Sequence, residues 1–212
     1  MLIPYKTCVE LYGKNFSGVV HIGAHHGEEV NAYQKHGVEH VYWIEANRDL
    51  MKYLFDATSR FSMKQEYICE VLSDVDNEEV EFKITNNGQS SSILDLGTHQ
   101  NHYPHIKVIA TKKLVTKRFD TVAKEKQIDL KNVDFINLDV QGAELKVLKG
   151  FGNIFETYQN IKAIYSEVNF EEVYVGAPHV NLIDEYLKPY GFIRVNTHVT
   201  DYKWGDALFL RK

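Results

Sequence analysis

The sequence predicts an α/β protein built on a mostly parallel, seven-stranded sheet with an antiparallel hairpin at its C-terminal end. Three observations lead there. Short apolar runs alternate with amphipathic segments along most of the 212 residues, the rhythm of parallel strands joined by right-handed helical crossovers. That rhythm is interrupted once, between residues 74 and 118, where two strand-like runs flank a polar stretch. The chain closes with two strand-like runs separated by only a short turn, and two strands so joined pair antiparallel.

The elements follow in order. Residues 1–17 read as a helical lead-in, and GVVHIGA as a short buried strand. GEEVNAYQKHG reads as a helix with acids in its first turn and Gly37 as its stop. HVYWIEA is the second strand, RDLMKYLFDATSRF the next helix and EYICEVLS the third strand. EEVEFKIT and IKVIATKKLVTKRF form an inserted β-hairpin, and the run NNGQSSSILDLGTHQNHYP between them is expected to be a mobile loop. FDTVAKEKQ, GAELKVLKGF and VNLIDEYLKPYG are helices between the strands VDFINLD, IKAIYSEVNF and FIRVNTH, with DALFLR last. No repeat or linker divides the chain, so residues 1–212 are expected to be one domain with 74–118 as an insertion.

Composition narrows the functions. With 44% hydrophobic and 25% charged residues, the chain can bury a sizeable core. Its net charge of −5 gives no general attraction to nucleic acid or an anionic membrane; the basic cluster Lys112, Lys113, Lys117 and Arg118 reads as a solvated strand face. Cys8 and Cys69 are too few for a disulfide framework. With no signal-peptide core and no membrane-length apolar run, a cytoplasmic setting is expected, with no membrane partner.

In an open parallel sheet, ligands bind beyond the carboxyl ends of the strands, beside the first strand. The segment HIGAHHGEEV lies there. Gly23 lets the backbone approach a ligand, Ala24 and His25 continue the loop, and Gly27 lets the following helix start nearby, a combination suited to an anionic end of a cofactor. A plain strand-to-helix turn is the competing reading. Glu45 ends the second strand, where an acid can accept both ribose hydroxyl protons, or can be merely a solvated strand-end acid. Leu72 can pack on a base, and Ser73 or Asp74 can bond its edge. The glycine spacing is not the dinucleotide fingerprint, which favours a nucleoside without a pyrophosphate.

Asp139 and Glu167 end two later strands and are expected to project into one cleft. Glu144 follows Asp139, either capping its own helix or binding cofactor or acceptor. His21 reads as a hydrogen-bonded core histidine, while His25 and His26 are expected to point different ways. A metal site on His21 and His25, with His179 or Glu45, is the minor alternative to no metal at all. Tyr103, His102, His105, Tyr174 and His179 are candidates to line an acceptor pocket.

The motifs HIGAHHGEE, WIEAN, VLSDVDNEEVEF, SSSIL, LDVQGAELKVLKG and DALFLR, in this order, resemble the FkbM-type S-adenosylmethionine-dependent methyltransferases. The resemblance implies a Rossmann-like class I methyltransferase fold. It implies S-adenosyl-L-methionine as cofactor, bound by Gly23, Ala24, His25, Gly27, Glu45, Leu72, Ser73 and Asp139, and methylation of a small-molecule or glycan hydroxyl. Catalysis is expected from Asp139, Glu144 and Glu167. Asp139, Gln141, Gly142, Glu144, Lys149 and Gly150 match the family's most specific motif. His21 departs from it, since many members carry an acid there, so Asp139 is expected to share in holding the cofactor's amino group. A nucleoside-binding protein without catalysis and an NAD-dependent oxidoreductase are the alternatives.

Overall fold

A computed structural model describes all 212 residues. Helix α1 (Tyr5–Tyr12) leads into β1 (Gly18–Ile22), α2 (Val30–Lys35), β2 (His40–Ile44), α3 (Met51–Thr58) and β3 (Lys64–Ile68). Then come β4 (Val71–Leu72), β5 (Glu79–Thr85), α4 (His99–His102), β6 (Val108–Lys117) and α5 (Phe119–Glu125). The second half holds β7 (Phe135–Leu138), α6 (Glu144–Lys149), α7 (Ile154–Thr157), β8 (Ala163–Asn169), α8 (Val180–Leu187), β9 (Phe192–Val199) and β10 (Trp204–Arg211).

The large sheet has seven strands in the order β3-β2-β1-β7-β8-β10-β9. All neighbours run parallel except β10, which is antiparallel to both β8 and β9. Both the sheet and its C-terminal hairpin are those the sequence predicts. Strand periodicity divides the core between two faces. Val20, Ile22, Ile136, Leu138 and Ile164 pack with residues of α5, α6 and α8; Val19, Trp43, Phe135 and Tyr165 pack with residues of α1, α2 and α3. With helices on both faces, β1, β7 and β8 are buried along their whole length. Chain order reverses between β1 and β7, and there the strand ends open the switch-point crevice.

Three elements differ from the sequence reading. The expected third strand over 66–73 divides at Cys69 and Glu70: β3 stays in the large sheet, while β4 leaves it to pair parallel with β6 in a small sheet ordered β4-β6-β5. The helix expected from Gly27 starts at Val30, because Gly27 is left-handed at φ +72 and closes a turn onto the Ala24 carbonyl. The helix expected from Gly142 starts at Glu144, after left-handed Gln141 and Gly142. The polar stretch 86–104 carries α4 and is tied down by isolated bridges from Ser92 to Lys83 and from Leu96 to Tyr174.

Candidate active site

A cavity of about 510 Å³ lies over the crevice. Its floor comes from the ends of β1, β2, β7 and β8, one wall from β4, and its cover from the stretch between β5 and β6. Gly23, Ala24, His25, Glu45, Leu72, Asp139 and Glu167 all face it, whereas Gly27, Ser73 and Glu144 stand outside its lining.

Gly23 is left-handed at φ +80, and a Cβ there would stand 1.7 Å from the Asp139 carbonyl oxygen. The ends of β1 and β7 therefore close on each other with no room for a side chain, and the loop backbone is bared to the cavity. Gly27 makes its close approach elsewhere, toward Thr58 and Leu54 of α3. Glu45 braces the loop: one carboxylate oxygen accepts from the His25 amide at 2.9 Å and the other from the Asn47 amide at 2.7 Å. Burial raises its pKa, which these amide bonds partly oppose.

His25 adopts φ +46, and its ring stacks on His26 at 3.9 Å between centroids. The two rings thus share one side, contrary to the expectation that they diverge, because the left-handed residue turns the side chains together. Nδ1 of His25 lies 2.6 Å from Glu28. His21 is a core histidine, 3.2 Å from the Tyr33 hydroxyl and packed on Trp43; burial lowers its pKa. His179 sits at the start of α8, where its ring accepts from the Asn181 amide. His21 and His25 both line the cavity but do not join His179 in one ligand cluster, and each has its own local partner.

Across the crevice the side chains join into a row. The Gln141 amide donates to Asp139 at 2.6 Å and to Glu167 at 2.7 Å, and its carbonyl accepts from the Tyr174 hydroxyl. The Gln141 backbone carbonyl accepts from Ser92 at 2.8 Å, fastening the cover to the row. Glu144, wholly buried, accepts from the Val140 and Gly142 amides at 3.0 and 3.1 Å and braces the turn that carries Gln141. Desolvation raises all three acids, Asp139 to about 6, Glu144 to about 7 and Glu167 well above the usual range, with each acid's neighbours adding to the effect. A bound cation would push these values back down.

Sequence reasoning did not single out Gln141, Asp206, Ser90 or His99 as site residues, yet all four line the cavity. Asp206 stands directly opposite Glu167 in the β8–β10 ladder, so antiparallel pairing of DALFLR on YSEVNF was the signal that could have found it. Tyr103, His105 and Tyr174 also face the cavity, and His102 and His179 do not. The basic cluster is spent on local ion pairs, Lys112 with Asp49, Lys113 with Glu79, Lys117 with Glu70 and Glu125, and Arg118 with Asp120.

The chain matches known proteins at two levels. A family model described as the methyltransferase FkbM domain matches residues 21–194. No protein with a curated description matches the sequence. Among solved structures, magnesium protoporphyrin IX methyltransferase from Synechocystis PCC 6803 with bound SAM aligns at a TM-score of 0.54 and 10% identity, over 99% of this chain and 76% of that one. TrmK of M. capricolum, in complex with S-adenosyl-homocysteine, aligns at 0.52 and 10% identity, over 100% and 70%. A SAM-dependent methyltransferase from Aquifex aeolicus aligns at 0.50 and 13% identity, over 100% and 90%. At such identities the likeness is one of fold, the Rossmann-like fold of class I methyltransferases.

Proposed function

Because the chain belongs to the FkbM-domain methyltransferase family, we propose that it transfers the methyl group of S-adenosylmethionine to a hydroxyl oxygen of a small molecule or saccharide. The row of Asp139, Gln141 and Glu167 facing the glycine loop carries this reading, since it gathers carboxylates where a cationic cofactor and a hydroxyl acceptor would meet.

The residues present fit such a cofactor. At Gly23 the backbone cradle is one that a Cβ would fill. Glu45, buried at the end of β2, has the place and the acceptor oxygens for ribose hydroxyls. Leu72 and Leu50 give apolar surface for a base, and no lysine or arginine lines the cavity to repel a positive group. Asp139 is suited to hold the cationic methionine end, which favours its ionised form. When bound, the cofactor supplies a methyl group activated by its sulfonium charge.

The chain's own share is positioning and proton removal. Gln141 fixes two carboxylates on one amide, so neither can turn away from the acceptor site. Asp139 or Glu167 receives the proton of the acceptor hydroxyl as its oxygen is methylated. Glu144 keeps the turn in place from behind. Tyr103, Tyr174 and Trp204 offer flat apolar surface to an acceptor.

Residues 1–212 act as one methyltransferase domain in this reading. Both cysteines are unbridged, and no helix is long and apolar enough to cross a membrane; these features support a reducing, cytoplasmic setting. Incubation with methyl-labelled S-adenosylmethionine and a mixture of hydroxyl compounds and glycans tests the reading. Label recovered as a methyl ether supports it, and label found only on nitrogen or carbon acceptors overturns the oxygen specificity.

A further inference from the structure

The acids outnumber the fixed cations. Glu29, Glu45, Asp139, Glu167 and Asp206 line a cavity with no lysine or arginine in its wall, and the Met1 ammonium that also lines it is paired with Glu29 at 3.2 Å. Asp139, Glu144 and Glu167 each offer a carboxylate oxygen within 4.8 Å of the others. Ordinary surface acids tolerate such spacing because water screens them, but Glu144 is 0% exposed and Glu167 4%.

Two further observations point to something that binds there. The second carboxylate oxygen of Glu144 is buried and accepts from no group in the protein. Asn169 is 1% exposed, and neither atom of its amide has a partner. Strand alternation puts Asn169 on the same face of β8 as Glu167, two residues along and outside the cavity lining. Buried oxygens and amides are costly to leave unpaired. A water molecule could serve one orphan oxygen but would leave the carboxylates without an opposite charge.

We propose that Asp139 and Glu167 at the floor of the cavity, with Glu144 buried behind it, bind one divalent cation of the magnesium or manganese class. The donors are all oxygen, with neither cysteine nor histidine among them, the set preferred by hard cations. Gln141 adapts by turning its terminal amide over. Its carbonyl oxygen then faces the cation, and its NH₂ faces the Tyr174 hydroxyl, which can accept as readily as donate. The role of the cation rests on the proposed methyl transfer: it would draw an acceptor hydroxyl onto itself and ease loss of its proton to the unbound carboxylate oxygen of Asp139 or Glu167. Binding itself needs neither cofactor nor acceptor.

Titration of the full chain with Mn²⁺, followed by loss of the free-ion electron paramagnetic resonance signal, tests the site. The expected result is one Mn²⁺ per chain, displaced by Mg²⁺, with affinity reduced about tenfold or more in Glu144→Gln and in Glu167→Gln. Thermal melting of each variant shows that it is folded, and Asp139→Asn at the cavity wall replaces any variant that is not. His25→Gln serves as the control for the other cluster, His25, His26 and Glu28. Absence of stoichiometric Mn²⁺ binding, binding unchanged in the carboxylate variants, or binding abolished only by His25→Gln would each overturn the site. Methyl transfer without Mn²⁺ binding removes the cation alone, whereas Mn²⁺ binding without methyl transfer removes the proposed reaction and leaves the site standing.

Discussion

The two sides of the crevice are held by different means. On the β1–β2 side, Glu45 fixes the loop through backbone amides, and Gly23 packs backbone against backbone. On the β7–β8 side, the row is a side-chain network: Gln141 reaches Glu167 across 26 residues, Tyr174 across 33 and Ser92 across 49. The first arrangement makes a rigid socket whose shape depends on few side chains. The second makes a titratable surface whose shape depends on many side chains.

The comparison breaks most visibly if the row is not chemical. Where Asp139 rather than Glu167 takes the acceptor's proton, Asp139→Asn lowers saturated turnover by about two to four orders of magnitude while changing cofactor affinity far less. Weakened cofactor binding with turnover kept would make Asp139 an anchor only. On the socket side, Gly23→Ala forces a Cβ into the Asp139 carbonyl, and the loss in unfolding free energy should be about 3 kcal/mol or more. Gly37→Ala is the reference: it too has positive φ but meets nothing within 4 Å, so denaturant titration should show a loss nearer 1 kcal/mol. Similar losses at both positions would deny the close approach of β1 and β7.

Glu45→Ala should weaken cofactor binding by about 1–3 kcal/mol in calorimetry, the scale of hydrogen bonds to a charged group; unchanged affinity would place the ribose elsewhere. Glu144 supplies a pH test of the opposite side. Its carboxyl is raised from 4.5 to about 7 by burial, so the folded chain keeps a proton that the unfolded chain releases. Its contribution is complete below pH 4.5 and is lost as pH rises toward 7. Melting temperatures of Glu144→Gln across that range, taken in EDTA so that no cation is bound, should therefore slope less steeply than those of the parent. An identical slope would assign the pH dependence to other groups. The smallest effect concerns the cover: its bridges to Lys83 and Tyr174 hold it in the free chain, and amide exchange over 86–104 should slow further on addition of S-adenosylhomocysteine. Exchange unchanged by the ligand would make the cover a fixed wall.

The same contrast explains what the sequence could disclose. The socket is local, a glycine after a buried strand and an acid at the end of the next, so GVVHIGAHHG and VYWIEA reveal it through pattern alone. The mostly parallel sheet with its antiparallel C-terminal hairpin is likewise readable, because alternation of strands and helices restricts the topology so heavily. The row is another matter. Asp139 and Glu167 can be placed at strand ends, yet Gln141 as their bridge depends on left-handed φ values at 141 and 142 that no periodicity encodes. Asp206 depends on β8–β10 register, and Ser90 and His99 on how a polar stretch folds back over the cavity. The division of 66–73 into β3 and β4 was hidden for a similar reason: the choice between the two sheets is made by β6, more than thirty residues away.

Calorimetric titration of the chain with S-adenosylmethionine, S-adenosylhomocysteine and NAD is the most direct test of the central claim that the crevice between β1 and β7 is a methyl-donor site. S-adenosylmethionine and S-adenosylhomocysteine should each bind once per chain and compete with one another, while NAD should not bind. Binding of NAD alone would contradict it.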